Sequence, residues 1–146
     1  MPPNIRRLSE ADLPGILSQL RIFLKYNLWA ILWGFLIIVL TALPGKSFPK
    51  LPDFLDLFHP DKLIHVFIFG IYAFLQIRGL SAQPVYPTLS RNAVVITMLI
   101  GLSLGAGTEI LQDVYVPRRF GSIYDFIANV AGCFVGWGIA VRLRLL

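Results

Sequence analysis

Charged residues are scarce in this chain of 146 residues, in which Asp, Glu, Lys and Arg together make up only 14%. Hydrophobic residues account for 56%, and the mean hydropathy of +0.71 lies far above the values of soluble domains. The composition therefore excludes an ordinary soluble domain and predicts an integral membrane protein. The net charge of +5 does not require a nucleic acid partner, because cations beside membrane segments meet anionic lipid headgroups.

Cysteine is nearly absent, and a cleavable leader is not indicated. Cys133 is the only cysteine, so no disulfide can form within the chain, and we expect it to be a small apolar filler. No small-x-small cleavage pattern follows the first hydrophobic run, which comes after a charged stretch at 1–23. We therefore expect that run to be a permanent anchor and not a cleaved signal peptide.

Four hydrophobic stretches are long enough to cross a bilayer, which takes about 20 mostly apolar residues in a helix. The sequence thus predicts an all-α membrane protein in which four transmembrane helices form one compact bundle over residues 24–146. We expect 1–23 to be a cytoplasmic or interfacial segment, and 13–25 have the apolar spacing of an interfacial helix. The predicted transmembrane helices are 24–43, 63–80, 93–112 and 123–142.

The connections between these helices differ in polarity. Residues 44–60 combine several prolines with bulky apolar residues, so we expect this stretch to lie against the membrane surface. Its last residue, Pro60, suits the first turn of a helix. Residues 79–92 are typical of a cytoplasmic turn, and 113–121 are typical of a short link on the other side.

Lys and Arg are distributed unevenly over the two sides of this topology. Eight of the 13 lie before the first helix, at the connection of the second and third helices, or at the C-terminus. The other five lie on the opposite side. Because cytoplasmic segments carry an excess of Lys and Arg, we expect both termini to be cytoplasmic.

Ionisable and amide side chains mark the ends of three predicted helices that meet on the outward side. Charged groups inside a membrane segment are energetically expensive and usually functional. Since successive helices alternate direction, the start of one, the end of the next and the start of the third lie together. The sequence therefore predicts one polar site built from Asp61, Lys62, His65, Glu109, Gln112, Arg119, Asp125 and Asn129.

Within this set, His65 and Glu109 are the candidates for acid–base chemistry. His65 follows Asp61 by one helical turn, so the carboxylate could orient or protonate the imidazole. Glu109 has no side-chain partner among its nearest neighbours on its own helix and must be paired, protonated or solvated. Arg119 best suits a bidentate bond with this carboxylate, and Gln112 can donate and accept beside it.

Structural roles account for several of the same residues. Asp61 lies at a helix N-terminus, where the macrodipole favours an anion. Ser122 and Asp125 resemble a capping box, and Asn129 can bond across a helix interface. The three cations and three carboxylates of this region could also satisfy one another, namely Lys62, Arg118 and Arg119 with Asp61, Glu109 and Asp125. His65, Glu109 and Asp125 form no recognised metal-ligand motif, so we expect neither a metal nor a cofactor.

Glycines indicate where the predicted helices touch, because helix association in lipid depends on close backbone approach. Gly101 and Gly105 lie on the third predicted helix, and Gly132 and Gly136 on the fourth. Asp125 and Asn129 fall on the same helical face as this second pair. We therefore expect the third and fourth helices to be the central pair of the bundle.

In their order and spacing, these motifs resemble the VanZ-like family of small bacterial membrane proteins, which is named for a teicoplanin-resistance determinant. The resemblance covers residues 61–136, and each motif alone would be weakly specific. It implies a multi-pass protein of the bacterial inner membrane in a family without an established molecular activity, and it does not imply that this chain confers resistance. The motifs are Asp61-Lys62-x-x-His65, Glu109-x-x-Gln112, Arg119, and Asp125-x-x-x-Asn129-x-x-Gly132-x-x-x-Gly136.

Three functions are compatible with this sequence beside a purely structural polar network. The first is binding of a lipid, a lipid-linked cell-wall precursor or a glycopeptide in envelope maintenance or glycopeptide tolerance. The second is acid–base catalysis, metal-independent hydrolysis or transfer, with Lys62 and Arg119 holding a phosphate or oxyanion. A transporter is disfavoured, because the inner halves of the last three helices offer little polarity beyond Gln76 and Thr97. Membrane lipids are expected partners, and a homo-oligomer is compatible with the chain.

Overall fold

The computed structural model describes residues 13–43, 60–116 and 120–146, which form helices and no strands. All except the short α3 are long and apolar enough to cross a membrane. These four pack closely against one another. The predicted all-α fold with four spanning helices is therefore confirmed, and the chain is a multi-pass membrane protein. The helices are α1 (Leu13–Ala42), α2 (Pro60–Ala82), α3 (Pro87–Arg91), α4 (Ala93–Tyr115) and α5 (Ile123–Arg142).

The ends of α2, α4 and α5 follow local signals in the sequence. α2 begins at Pro60, whose fixed φ and missing N–H fit the first position of a helix. α4 continues three residues past the predicted end at 112 and stops at Tyr115. α5 occupies the predicted span 123–142. The stretch 44–59, which we expected at the membrane surface, lies outside the described residues.

α1 is a single helix of 30 residues, and the separate interfacial helix expected at 13–25 is not formed. At about 1.5 Å per residue α1 is about 45 Å long, whereas the hydrocarbon core is about 30 Å thick. The Phe23 ring meets Tyr86 edge-on at 5.6 Å, where the chain passes from α2 to α3. The N-terminal turns of α1 therefore continue past this connection instead of bending into the interface.

The central pair of the bundle is α2 and α5, so the expected pairing of the third and fourth spanning helices as the central pair is wrong. Gly132 lies against the backbone carbonyl of Val66, and Gly136 lies against that of Gly70. An added Cβ at either position would overlap these oxygens. The small face of α5 was identified correctly, but it fits against α2 because Gly70 leaves room for it.

α4 packs on a neighbouring face of α5 through its own glycines. A Cβ on Gly101 would stand 2.7 Å from the Cys133 sulfur, and one on Gly105 would stand 3.3 Å from Cβ of Asn129. Gly101 and Gly105 thus have the packing role that the sequence predicts. Cys133 is buried in the apolar core, where its neighbours are Ile37, Phe69, Tyr72 and Ala73.

The connection from α2 to α4 is an ordered turn held by a buried amide. Gln83 is 2% exposed, and its side-chain oxygen accepts from the backbone N–H groups of Val85 and Tyr86. Its amide nitrogen donates to the Tyr86 carbonyl at 2.8 Å. The turn predicted at 79–92 is present, but α2 extends into it and α3 forms within it. Nearby, Gly79 lies against Asn27 of α1.

Candidate functional site

A chain of hydrogen bonds links three spanning helices at one end of the bundle, which we call the polar end. The polar end consists of the start of α2, the end of α4 and the start of α5. Nδ1 of His65 lies 2.8 Å from Oδ1 of Asn129, and Nδ2 of Asn129 donates to Oε1 of Glu109 at 3.3 Å. The second carboxylate oxygen, Oε2, accepts from the backbone N–H of Ser122 at 2.9 Å. His65, Asn129 and Glu109, which come from distant parts of the sequence, therefore meet.

The order of donors in this chain shows which imidazole nitrogen carries the proton that faces Asn129. Glu109 is acceptor-only when ionised, so the Asn129 group that faces it is the NH₂ group. The amide oxygen of Asn129 then faces His65, and Nδ1 carries the proton that bonds to it. In a neutral imidazole the lone pair is consequently on Nε2. Within the described residues, no side chain or backbone group hydrogen-bonds that nitrogen.

Glu109 also completes the start of α5, where the sequence predicted a capping box of Ser122 and Asp125. That prediction is wrong, because the Ser122 side chain makes no capping bond and its backbone N–H goes to Glu109 instead. A carboxylate is favourable at this helix N-terminus. The approach is close, since a Cβ on Gly121 would stand 2.6 Å from the backbone oxygen of Glu109. Glycine at 121 is needed for this reason.

Lys62 provides the ammonium group of the polar end. Its Nζ donates to Asp61 at 2.9 Å and lies 3.6 Å from Oδ1 of Asp125, too far for a hydrogen bond. That Asp125 oxygen is buried and has no hydrogen-bond partner. The Lys62 side chain is 35% exposed. An ammonium has three donors, so Lys62 keeps donors for a further acceptor.

Several expected partnerships differ from the observed ones. His65 bonds Asn129 on α5 and not Asp61 on its own helix, because its imidazole points into the α2–α5 interface. Gln112 is buried at 3% exposure but makes no hydrogen bond with Glu109. The pairing of Glu109 with Arg119 falls outside the described residues, because 117–119 are not among them. Glu109 has two other donors and is 8% exposed.

On the outer side of the α4–α5 contact, a shallow groove of about 290 Å³ reaches Glu109. Its walls are otherwise mostly apolar, and neither His65 nor Lys62 belongs to them. Among the described residues, no group of three or more His, Cys, Asp and Glu side chains could hold a metal ion. The residues that line this groove are Ala106, Glu109, Ile110, Gly121, Ser122, Ile123 and Phe126.

Several residues that position the site were not identified from the sequence. Gly70 admits α5 against α2, and Gly121 admits the chain against Glu109. Trp33 of α1 donates its indole N–H to the Ile68 carbonyl at 2.9 Å, one turn below His65 on α2. A glycine within the second predicted helix, five residues after His65, was a readable signal for Gly70. The cross-helix bond of Trp33 has no such signal.

The resemblance to the VanZ-like family is a prediction from motif order, and the comparisons neither support nor refute it. No protein-family model, curated protein or solved structure matches the chain.

Proposed function

We propose that the protein is a VanZ-like membrane protein of the bacterial cell envelope whose polar end binds the phosphate-bearing headgroup of a lipid or a lipid-linked cell-wall precursor. The observation that carries the proposal is the Lys62 ammonium, part-exposed at the start of a membrane-spanning helix with donors to spare. Lys62 lies one helical turn from His65. Both side chains are directed at α5, the first toward Asp125 and the second toward Asn129.

These two side chains offer complementary hydrogen-bonding groups. Lys62 donates from Nζ, and neutral His65 accepts at Nε2. A headgroup that carries both a phosphate and a hydroxyl or bound water satisfies the two at once. Hydrogen bonds from a charged donor to phosphate are stronger than neutral ones. Because the site lies at the end of membrane-spanning helices, the ligand in reach is a lipid headgroup.

The carboxylates beside Lys62 limit the choice of ligand. Asp61 is 55% exposed and bonds Lys62, while Asp125 is 16% exposed. A highly charged anion would be repelled by them, so a headgroup with one phosphate group or a zwitterionic headgroup fits better than a pyrophosphate. The sequence places Arg118 and Arg119 between α4 and α5, so they add positive charge to the connection of these two helices.

A purely structural network is the second candidate, and a specific observation favours it. Both oxygens of Glu109 and both polar groups of Asn129 already have protein partners. Such bonds would hold α2, α4 and α5 together without any ligand. The difference from headgroup binding lies in Lys62, which contributes nothing to that hydrogen-bond chain.

The test is lipid binding by the purified chain in dodecyl maltoside, measured by native mass spectrometry. The probes are phosphatidylglycerol, polyprenyl monophosphate and, as the phosphate-free comparison, diacylglycerol. We expect the two phosphate lipids to bind and Lys62→Met to weaken them about tenfold or more, because it removes a charge-assisted hydrogen bond of about 1.5–3 kcal/mol. Lys25→Met, an exposed lysine of α1, is the matched control.

Two results would contradict headgroup binding. The first is diacylglycerol retention as strong as that of phosphatidylglycerol, which would mean that the phosphate is not recognised. The second is equal affinity of the Lys62→Met and Lys25→Met variants, which would leave the structural network as the explanation of the polar end.

A further inference from the structure

We infer that His65 is a general base and that the polar end hydrolyses a phosphate ester bond in the lipid headgroup it holds. This inference rests on the proposed function and extends it from binding to a reaction. Three features support it: the bonding of one imidazole nitrogen to Asn129, the position of His65 relative to Lys62, and a reaction that the two side chains can complete.

The nitrogen by which His65 donates is set by two buried residues from two other helices. Asn129 is 1% exposed and Glu109 is 8% exposed, and each uses its polar atoms to define the next bond in the chain. A histidine that only joined helices would gain most by bonding both of its nitrogens, since unpaired polar groups near hydrocarbon are costly. Here one nitrogen is held by Asn129, and the described residues leave Nε2 to bond a water or ligand.

The position of His65 relative to Lys62 suits one phosphate. The two residues are three apart on α2, which separates them by about 4.5 Å along the helix axis. Their partners Asp125 and Asn129 are one turn apart on α5. Both side chains are therefore directed from α2 toward α5, one helical turn apart. A phosphate bound by Lys62 would thus have its ester bond within about one helical turn of the His65 imidazole.

The reaction needs only water and the two side chains. His65 takes a proton from water at Nε2, and the water oxygen attacks phosphorus. The bond from phosphorus to the lipid alcohol breaks on the side opposite the attacking water, where the leaving oxygen takes a proton from solvent, and the imidazolium returns its proton to solvent. Lys62 stabilises the negative charge on the phosphoryl oxygens. The products are a free lipid alcohol and a phosphate, with no oxidation or reduction.

Glu109 and Asn129 are positioning residues in this reaction, because they act through His65 and do not reach the phosphate. Glu109 must accept from two donors, Asn129 and the N–H of Ser122, with one oxygen each. A glutamine has a single acceptor oxygen, so Glu109→Gln loses one of these bonds. Asn129→Asp still accepts from His65 but sets two carboxylates against each other. The double variant restores the order, because the amide introduced by Glu109→Gln donates to the carboxylate introduced by Asn129→Asp.

The experiment is turnover by the purified full chain in dodecyl maltoside micelles that contain phosphatidylglycerol or polyprenyl monophosphate, in ¹⁸O-labelled water. We expect release of diacylglycerol or polyprenol with ¹⁸O in the phosphate product. His65→Gln keeps a donor for Asn129 and an acceptor for the headgroup but has no base, so turnover should fall about 100-fold or more while lipid affinity changes less than about threefold. Asn92→Asp is the matched control for Asn129→Asp, because it is the same substitution at an exposed position outside the polar end.

Each outcome separates the reaction from the binding. Lipid binding without ¹⁸O incorporation in the wild type overturns the reaction and leaves headgroup binding standing, and the absence of both overturns both. Turnover that survives in His65→Gln overturns the assignment of the base. For the positioning residues, Asn129→Asp should lower kcat at least tenfold with KM unchanged, and Asn129→Asp with Glu109→Gln should recover most of the loss. If Asn129→Asp lowers kcat and the double variant does not recover it, Asn129 and Glu109 have a structural role only.

Discussion

The two ends of this bundle both bury polar side chains, but they satisfy them in opposite ways. At the end where α1 meets the α2–α3 connection, amides bond to backbone close in sequence: Asn27 to Phe23, and Gln83 to Val85 and Tyr86. At the polar end the bonds cross between helices. Asn129 bonds His65, which is 64 positions away in the sequence, and Glu109, which is 20 positions away.

This difference separates two uses of polarity in a membrane. Local amide bonds shape a turn or a helix end and depend little on how the helices pack. Bonds between helices form only when three helices hold one relative position, so they report on the packing and can present a group in a fixed direction. His65 and Glu109 occur in this second kind of arrangement, and Lys62 lies beside it, which is why we place the function there.

The largest expected effect comes from the packing between α2 and α5, which sets the relative position of both ends. Gly136→Leu should abolish the fold or destabilise it by more than about 3 kcal/mol, because the side chain would meet the backbone of Gly70. Gly138→Leu, two residues away with nothing within 4 Å, should unfold like the wild type. The measurement is the midpoint of unfolding in an SDS titration. Equal midpoints for the two variants would contradict α2–α5 as the central pair.

An intermediate effect is expected at the polar end. Glu109→Gln should lower the free energy of unfolding by about 1.5–3 kcal/mol, because a buried charged acceptor of two hydrogen bonds is replaced by a neutral one. Asp113→Asn, on the same helix but exposed, should leave it unchanged. The same SDS titration measures both. Wild-type stability in Glu109→Gln would mean that the bonds between helices do not hold this end.

The smallest effect concerns α1. Trp33→Phe removes the indole N–H that donates to the Ile68 carbonyl and should lower the free energy of unfolding by about 1 kcal/mol. Trp29→Phe is the matched control, since Trp29 is 66% exposed on the lipid-facing side. If both variants unfold alike, α1 is held by apolar contacts alone, and the bond from Trp33 adds nothing to the joining of α1 and α2.

The spans could be predicted from the sequence because hydrophobic length and helix-breaking residues are local properties. α5 matches its prediction at both ends, and Pro60 correctly marks the start of α2. The start of α1 was missed because a helix need not end where the hydrocarbon ends. Alternation of direction was enough to bring His65, Glu109 and Asn129 to one end of the bundle.

The partners within the site could not be predicted in the same way, because they depend on the rotation of each helix. Spacing shows that Gly132 and Gly136 share a face, but the complementary room is at Gly70 on α2. The rotation that follows places His65 against Asn129. Likewise, the capping box of Ser122 and Asp125 fits the local pattern, but the backbone N–H of Ser122 donates to Glu109 from another helix instead.

The seclusion of Cys133 has a practical consequence for orientation in the bilayer. It is the only thiol of the chain, it is 1% exposed, and its sulfur is covered by Gly101. Maleimide reagents should therefore leave the folded native protein unlabelled. A cysteine introduced at Asp113 or at Arg91, exposed positions at opposite ends, would be the sole reactive thiol, and a membrane-impermeant maleimide would then assign each end to one side of the membrane.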